Sequence, residues 1–302
     1  MFCTRFEHAP LITPASSPSI GKNINGPTLL RVPNFVKNPL GKYYLYFAHH
    51  SGDSIRLAYA DSPTGPFTVY EPGALQLADV QRPNGFFGHI ASPDIYVEET
   101  EQRIYLFFHG LYPSAFGQRT GVAVSQDGVH FTLVRPDEIG SFYLRVFPWD
   151  GRYYGISKNG NTSGLFSVSD TLTGVQHTLG EIIPNMRHCA VWLEGDQLYL
   201  FYTVVGDAPE RILATRMTLT PGLDTPPEIG KSIVVAEPET DEEGLQFENK
   251  PSKFGYENDV RQLRDPFVYE ENGRFYLYFS YAGENGISGG KLDMDAIRAA
   301  LK

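Results

Sequence analysis

The chain has 302 residues, a formal net charge of −10 and two cysteines, Cys3 and Cys189. An acidic balance argues against wrapping a nucleic-acid backbone, and two isolated cysteines supply neither a disulfide framework nor a clustered metal motif. No apolar run approaches the ~18 residues of a membrane helix, and the opening MFCTRFEHAPLITP lacks the segments of a signal peptide. The expectation is a cytoplasmic protein with small or neutral partners, no nucleic acid and no membrane; the sequence sets no oligomeric state.

Eighteen Tyr, twenty Phe, thirty Gly and twenty-two Pro favour short strands joined by many turns. The first candidate is the short extended stretch APLITP. GPTLLRV then leads to KYYLYFAHH and IRLAYADS, and SPDIYVE leads to RIYLFFHG and GVAVSQDG. YLRVFPW precedes RYYGISKN and GLFSVSD; HCAVWLE precedes QLYLFYTV and RILATRMT; RDPFVYE precedes RFYLYFSY and GISGGKLD. These are five copies of one unit, aligned on Tyr44, Tyr105, Tyr154, Tyr199 and Tyr276. Three consecutive strands with a variable fourth describe a propeller blade. The segment 221–261 interrupts the repeat, with KSIVVAE as an outer strand and a charged surface excursion after it. DMDAIRAALK reads as a short C-terminal helix capped by Asp293 or Asp295. The expected fold is all-β: a single five-bladed β-propeller domain over residues 1–302, its ring closed by the N-terminal PLITP pairing into the last blade.

In a propeller, inner strands from every blade aim side chains at one mouth of a central channel. Counting back from the aligned tyrosines, with allowance for turn length, gives a ring of Thr28, Asp94, Arg145, His188 and Asp265. Arg187 and Arg264 immediately precede two of these, and His89 precedes Asp94 on the way to the rim. Loops on the same face bring His49, His50 and Asp53, then His109, Tyr112 and Arg119, then Lys158 and Asn159, and last Tyr281 and Glu284, with His109 and Glu284 ranked first. Clustered titratable groups of both signs point to a polar site. A divalent cation such as calcium would find His and Asp ligands facing the channel, but no spacing singles one out, and no cofactor is expected.

The stretches LRDPFVY, IASPDIY, IRLAYADSPTGPFT and YFSYAGENGIS resemble the five-bladed β-propeller glycoside hydrolases, the arabinanase, levansucrase and invertase superfamily that includes glycoside hydrolase family 43. The resemblance runs over almost the whole chain. It implies three inner-strand carboxylates: a blade 1 Asp as base, a blade 2 Asp that tunes pKa and holds substrate, and a blade 3 Glu as acid. Asp94 carries over onto the blade 2 position, whereas blade 1 offers Thr28 and blade 3 offers Arg145. Asp265 resembles the substrate-holding Asp of the fructosidase branch, in a different blade.

The expected function is therefore a glycoside hydrolase of carbohydrate metabolism or polysaccharide degradation with a non-standard acid/base set. It would be exo-acting on a small oligosaccharide, with an acidic (uronic or sulfated) or anhydro-sugar in view. Asp94, His188 and Asp265 are the catalytic candidates, both aspartates ionised beside arginine. His188, His109 and Glu284, in that order, are candidates for the acid. Arg145, Arg187, Arg264, His109, Glu284, His89 and Thr28 are candidates for holding substrate. An oligosaccharide lyase acting on uronates, and a glycan-binding propeller without activity, remain open alternatives.

Overall fold

The aromatic strand at the heart of each repeat is apolar on both faces because each is sandwiched between two neighbouring blades. The computed structural model describes residues 2–113 and 117–302. In chain order, β1 (Cys3–Arg5) precedes blade 1, which is β2 (Asn25–Arg31), β3 (Tyr43–Ala48), β4 (Ser54–Ala60) and β5 (Thr68–Gln76). A single turn, α1 (Leu77–Val80), leads to blade 2: β6 (Phe87–Glu98), β7 (Arg103–Tyr112) and β8 (Gly117–Ser125), with the short β9 (Thr132–Leu133) and β10 (Gly140–Ser141) both on β8. Blade 3 is β11 (Arg145–Trp149), β12 (Arg152–Asn159), β13 (Ser163–Ser169) and β14 (His177–Pro184). Blade 4 is β15 (Met186–Glu194), β16 (Gln197–Val204), β17 (Ile212–Thr218) and β18 (Ile233–Ala236). Blade 5 is β19 (Asn258–Glu271), β20 (Arg274–Gly283) and β21 (Gly286–Leu292), completed by β1; α2 (Met294–Ala300) ends the chain.

The core is divided accordingly into five buried clusters, one at each blade–blade interface. On β3, Tyr44 and Tyr46 pack toward blade 2, while Tyr43, Leu45 and Phe47 pack toward blade 5. On β20, Phe275, Leu277, Phe279 and Tyr281 face blade 4, and Tyr276 and Tyr278 face blade 1. Strand alternation thus serves two interfaces, and neither face of these strands can be polar.

Ring closure differs in detail from expectation. The closing strand is Cys3–Arg5, paired antiparallel with β21 through Cys3–Leu292, Thr4–Lys291 and Arg5–Gly290. The PLITP stretch does reach β21, but only through Leu11 and Ile12, which bond to Ile287. Pro10 and Pro14 flank those two residues and have no N–H to extend a ladder. Asp293 caps α2 by accepting a bond from Ala296 N at 2.9 Å. KSIVVAE forms the outer strand of blade 4, and the chain from 237 to 257 runs over the surface to the channel mouth. No helix among the described residues is long and apolar enough to cross a membrane.

Candidate active site

Strand register defines the inner ring. The aligned tyrosines pair with Leu30, Tyr96, Phe147, Trp192 and Tyr269 on the inner strands. Four residues before each of these stand Gly26, Ser92, Tyr143, His188 and Asp265. Four of the five have left-handed backbone: Gly26 (φ 63°), Ser92 (47°), Tyr143 (58°) and Asp265 (52°). Register shifts bracket the ring residues of blades 1, 2, 4 and 5, so the ladder breaks where the side chains are aimed inward. For Ser92, Tyr143 and Asp265 this conformation is costly, on the order of 1–3 kcal/mol each, and the surrounding propeller imposes it.

His188 and Asp265 therefore occupy the ring as expected. Thr28, Asp94 and Arg145 stand two residues further along their strands, about 6–7 Å deeper. The cause is the hairpin length that the count back assumes: Tyr96 to Tyr105 is two residues longer than Tyr269 to Tyr276, the blade 1 turn exceeds its allowance, and Phe147 to Tyr154 equals Tyr269 to Tyr276 where a shorter turn is expected, so each count slips by one pleat. At that depth Thr28 is fully buried with its hydroxyl unpartnered. Arg145 donates to the carbonyls of Cys189 (3.0 Å) and Pro93 (3.3 Å) and lies 3.8 Å from Asp94. Burial pushes the Asp94 carboxyl up to about 6 despite Arg145, the reverse of the expected arginine-held ionisation. These three residues plug the channel beneath the site.

Above them lies a narrow cavity, too tight for a water molecule between its walls, to which all five blades contribute. Asn25 and His50 come from blade 1, Ala91 and Ser92 from blade 2, and Tyr143 from the entry to blade 3. His188 comes from blade 4, and Asp265 and Glu284 from blade 5. A larger groove lined by Ser62, Arg274, Asp293 and Arg298 lies at the far end of blade 5, away from this cluster.

The central contact is His188 Nδ1 to Asp265 Oδ1 at 2.6 Å. The N–H direction misses the oxygen, so Nδ1 is close to its partner without an aligned bond. Burial raises the Asp265 carboxyl, but His188, the Ser280 hydroxyl (2.7 Å) and Arg264 outweigh it and hold the group well below the usual range. Burial draws His188 below its ordinary value against the attraction of Asp265. The pair at neutral pH is then a carboxylate beside a neutral imidazole, whose Nε2 can exchange a proton. The Tyr143 ring stands edge-on to His188, with centroids 4.3 Å apart. Burial, then Asp265 and Glu284, keep its phenol protonated.

Glu284 accepts from Asn25 (2.7 Å), Asn23 (2.8 Å) and Arg264 (3.4 Å), with His50 Nδ1 at 3.5 Å. Burial opposes its charge, but His50 and Arg264 win and lower its pKa. A carboxylate so held is a poor proton donor, which removes the physical basis for Glu284 as the acid. His109 lies behind Tyr143 at 4.5 Å, with His89 a further 5.9 Å away, and neither lines the cavity. Burial, then His89, pulls His109 well below its ordinary value, and its Nδ1 has no partner.

That depression has a pH consequence. As pH falls below ~6.5, an unfolded histidine binds a proton that native His109 refuses, so stability must fall. Urea unfolding midpoints are expected to drop between about pH 7 and 5, and to drop less in His109→Gln. An identical slope in the variant would show that His109 is not the group responsible.

The buried arginines do not reach the cavity as free donors. Arg187 pairs with Glu210 at 2.8 Å and donates to the carbonyls of Gly255 (3.0 Å) and Lys253. Arg264, fully buried, bonds Gln262 (2.9 Å), Gly255 O (3.1 Å), Glu257 (3.3 Å) and Glu284. Arg264 positions Glu284, and the two guanidinium groups together hold the carbonyls of Lys253 and Gly255, which corrects the expectation that they bind substrate directly. Among the described residues no three His, Cys, Asp or Glu side chains converge as a metal ion requires.

Sequence reasoning missed Ser92, Tyr143, Asn23 and Asn25. A signal for part of the ring existed: Gly26–Pro27, Ser92–Pro93 and Asp265–Pro266 are equivalent X–Pro steps.

No protein-family model matches the chain. The uncharacterized protein R118 of Acanthamoeba polyphaga mimivirus is 35% identical over 297 residues, covering 89% of this chain and 83% of that protein. A glycosyl hydrolase from Bacteroides ovatus superposes with a TM-score of 0.67 at 13% identity, over 98% of this chain and 95% of the other. CoXyl43, a family 43 β-xylosidase/α-arabinofuranosidase from a compost microbial metagenome solved with xylotriose, superposes with a TM-score of 0.62 at 15% identity, over 96% and 94%. At these identities the structural likenesses establish the shared five-bladed fold.

Proposed function

This chain belongs to the family of the mimivirus protein R118 and has the five-bladed propeller of the family 43 glycoside hydrolases, and on that footing we propose that it hydrolyses glycosidic bonds. The observation that carries the proposal is the meeting of His188 and Asp265 from adjacent blades at 2.6 Å, in a cavity they share with Glu284 and Tyr143. Glycoside cleavage needs one group to protonate the leaving oxygen and another to activate water. Asp265, held ionised, orients His188 and stabilises the charge His188 gains when Nε2 takes a proton from the attacking water. Tyr143, kept protonated, is the donor next to the imidazole for the departing oxygen. Glu284, fixed by two asparagines and Arg264, places a second negative charge where the sugar ring becomes positive.

The lining side chains leave no room for a water molecule between them, so a sugar can enter only where they part. A second reading has one observation in its favour. Besides the imidazole, the cavity's protonated donor is a phenol and its carboxylates are ionised. A histidine base with a tyrosine donor also suits β-elimination from a uronate.

The products separate the two. Oligosaccharide pools, neutral and uronate-bearing, are incubated with the protein in ¹⁸O-water. Hydrolysis is expected to place one solvent oxygen in the products, with no new ultraviolet absorbance. Unsaturated, absorbing products without solvent oxygen would establish elimination instead. Bound but uncleaved glycans across the pools would sink both and leave a binding propeller.

A further inference from the structure

Lys158 lies one residue before the end of β12 and is 5% exposed. Its ammonium has no carboxylate partner and no hydrogen-bond acceptor among the described residues. Three rings surround it instead: Nζ is 5.5 Å from the centroid of Phe142, 5.9 Å from Tyr143 and 5.5 Å from Phe254. These distances sit at the outer end of the ~6 Å reach of a cation–π contact. Rings at that distance attract the charge but leave three N–H donors without acceptors.

The surroundings place this cation at an opening. Tyr143 lines the cavity, and Phe254 is 44% exposed. Two residues on, Tyr256 is 56% exposed and rests 5.1 Å from His50, another cavity residue. The 254–256 segment thus connects the Lys158 side of the cavity with its His50 side. Arg187 and Arg264 grip the carbonyls on either side of Phe254, so these exposed rings are held by buried side chains. Burial, then Arg187, draws the ammonium down to about 8, while Glu210 and Asp265 pull the other way without forming an ion pair with it.

We propose that Lys158 is an anion subsite at the cavity mouth, reading the charged group of an acidic sugar, with the ring of Phe254 walling it. Arg145, Arg187 and Arg264 are already engaged with protein, which leaves Lys158 as an available donor of charge-assisted bonds. The inference rests on the carbohydrate reading of the cavity and adds the class of sugar.

The test is binding by calorimetry to wild type, Lys158→Met and Lys158→Arg. The probes are D-galacturonate, D-glucuronate and a galactose sulfate ester, beside neutral D-galactose and D-glucose. At least one acidic sugar should bind wild type more tightly than its neutral counterpart. Lys158→Met should weaken that sugar about 10- to 100-fold and leave neutral sugars within about twofold. Lys158→Arg should keep the preference, and the uronate and sulfate arms identify the group. No acidic preference in wild type, no binding of any acidic sugar, or a preference that survives Lys158→Met overturns the proposal. Should Lys158→Met fail to fold, acetylation of wild-type Lys158 read by mass spectrometry decides: protection by the acidic sugar but not its neutral counterpart is expected, and equal labelling refutes. Cleavage is scored separately. Lys158-dependent binding without cleavage keeps this subsite and removes the hydrolase; cleavage without a Lys158-dependent preference does the opposite.

Discussion

Asp265→Asn is expected to slow glycoside turnover about 10²- to 10⁴-fold, the usual range for disabling a positioned proton-transfer group. Asn is close to isosteric and can still accept from the Ser280 hydroxyl, now 2.7 Å from the carboxylate, so the local packing survives. What disappears is the negative charge 2.6 Å from His188 Nδ1. Without it the imidazole has no partner for the charge it acquires, and an amide can present its N–H where an acceptor is needed. If the two residues act as one unit, His188→Ala and the double variant should be about as slow as the single, because such effects do not add. Stability offers an independent reading. Native Asp265 keeps its charge to lower pH than an unfolded aspartate, whose pKa is ~3.9. Its contribution is therefore full above that value and fades as pH falls toward the native one. The stability deficit of Asp265→Asn should be present at neutral pH and close below about pH 4. Wild-type rates in Asp265→Asn would remove this carboxylate from the chemistry.

Arg187→Met is expected to cost about 3–5 kcal/mol of stability, the range for breaking a buried ion pair from one side. Glu210 is fully buried and would keep only Arg264, at 3.7 Å. The substitution also releases the carbonyl of Lys253 and leaves that of Gly255 to Arg264 alone, which loosens the aromatic segment across the mouth. Urea unfolding should show the loss, and limited proteolysis should reach residues 250–257 sooner than in wild type. Arg187→Met combined with Glu210→Leu should recover part of the loss, because replacing both partners leaves no orphaned charge. A loss below about 1 kcal/mol would mean that the Arg187–Glu210 pair is not what secures the segment.

The five-bladed architecture was legible in the sequence because its physical cause is local and repeated. Strands such as Tyr43–Ala48 and Arg274–Gly283 must be apolar on both faces to lie between two blades, and that demand is visible without knowing the neighbours. The cap at Asp293 was legible for the same reason, since a carboxylate three residues before a free N–H needs only its own turn. Two members of the ring, His188 and Asp265, could be placed because their hairpins have the length that the count back assumes; Phe147 to Tyr154 has it too, but a shorter turn is expected there, which puts Arg145 in place of Tyr143. The rest required the tertiary structure. Ser92 and Tyr143 enter the cavity through left-handed backbone that neither residue favours alone, and only the closed ring holds them there. Arg187 and Arg264 read in the sequence as free charges beside the ring. They are spent on Glu210, Glu284 and the carbonyls of Lys253 and Gly255, whereas Lys158, unremarkable in its strand, has no ion-pair partner among the described residues. Strand pattern depends on nearest neighbours along the chain, but the availability of a charge depends on every group folded against it, and sequence spacing carries no record of that.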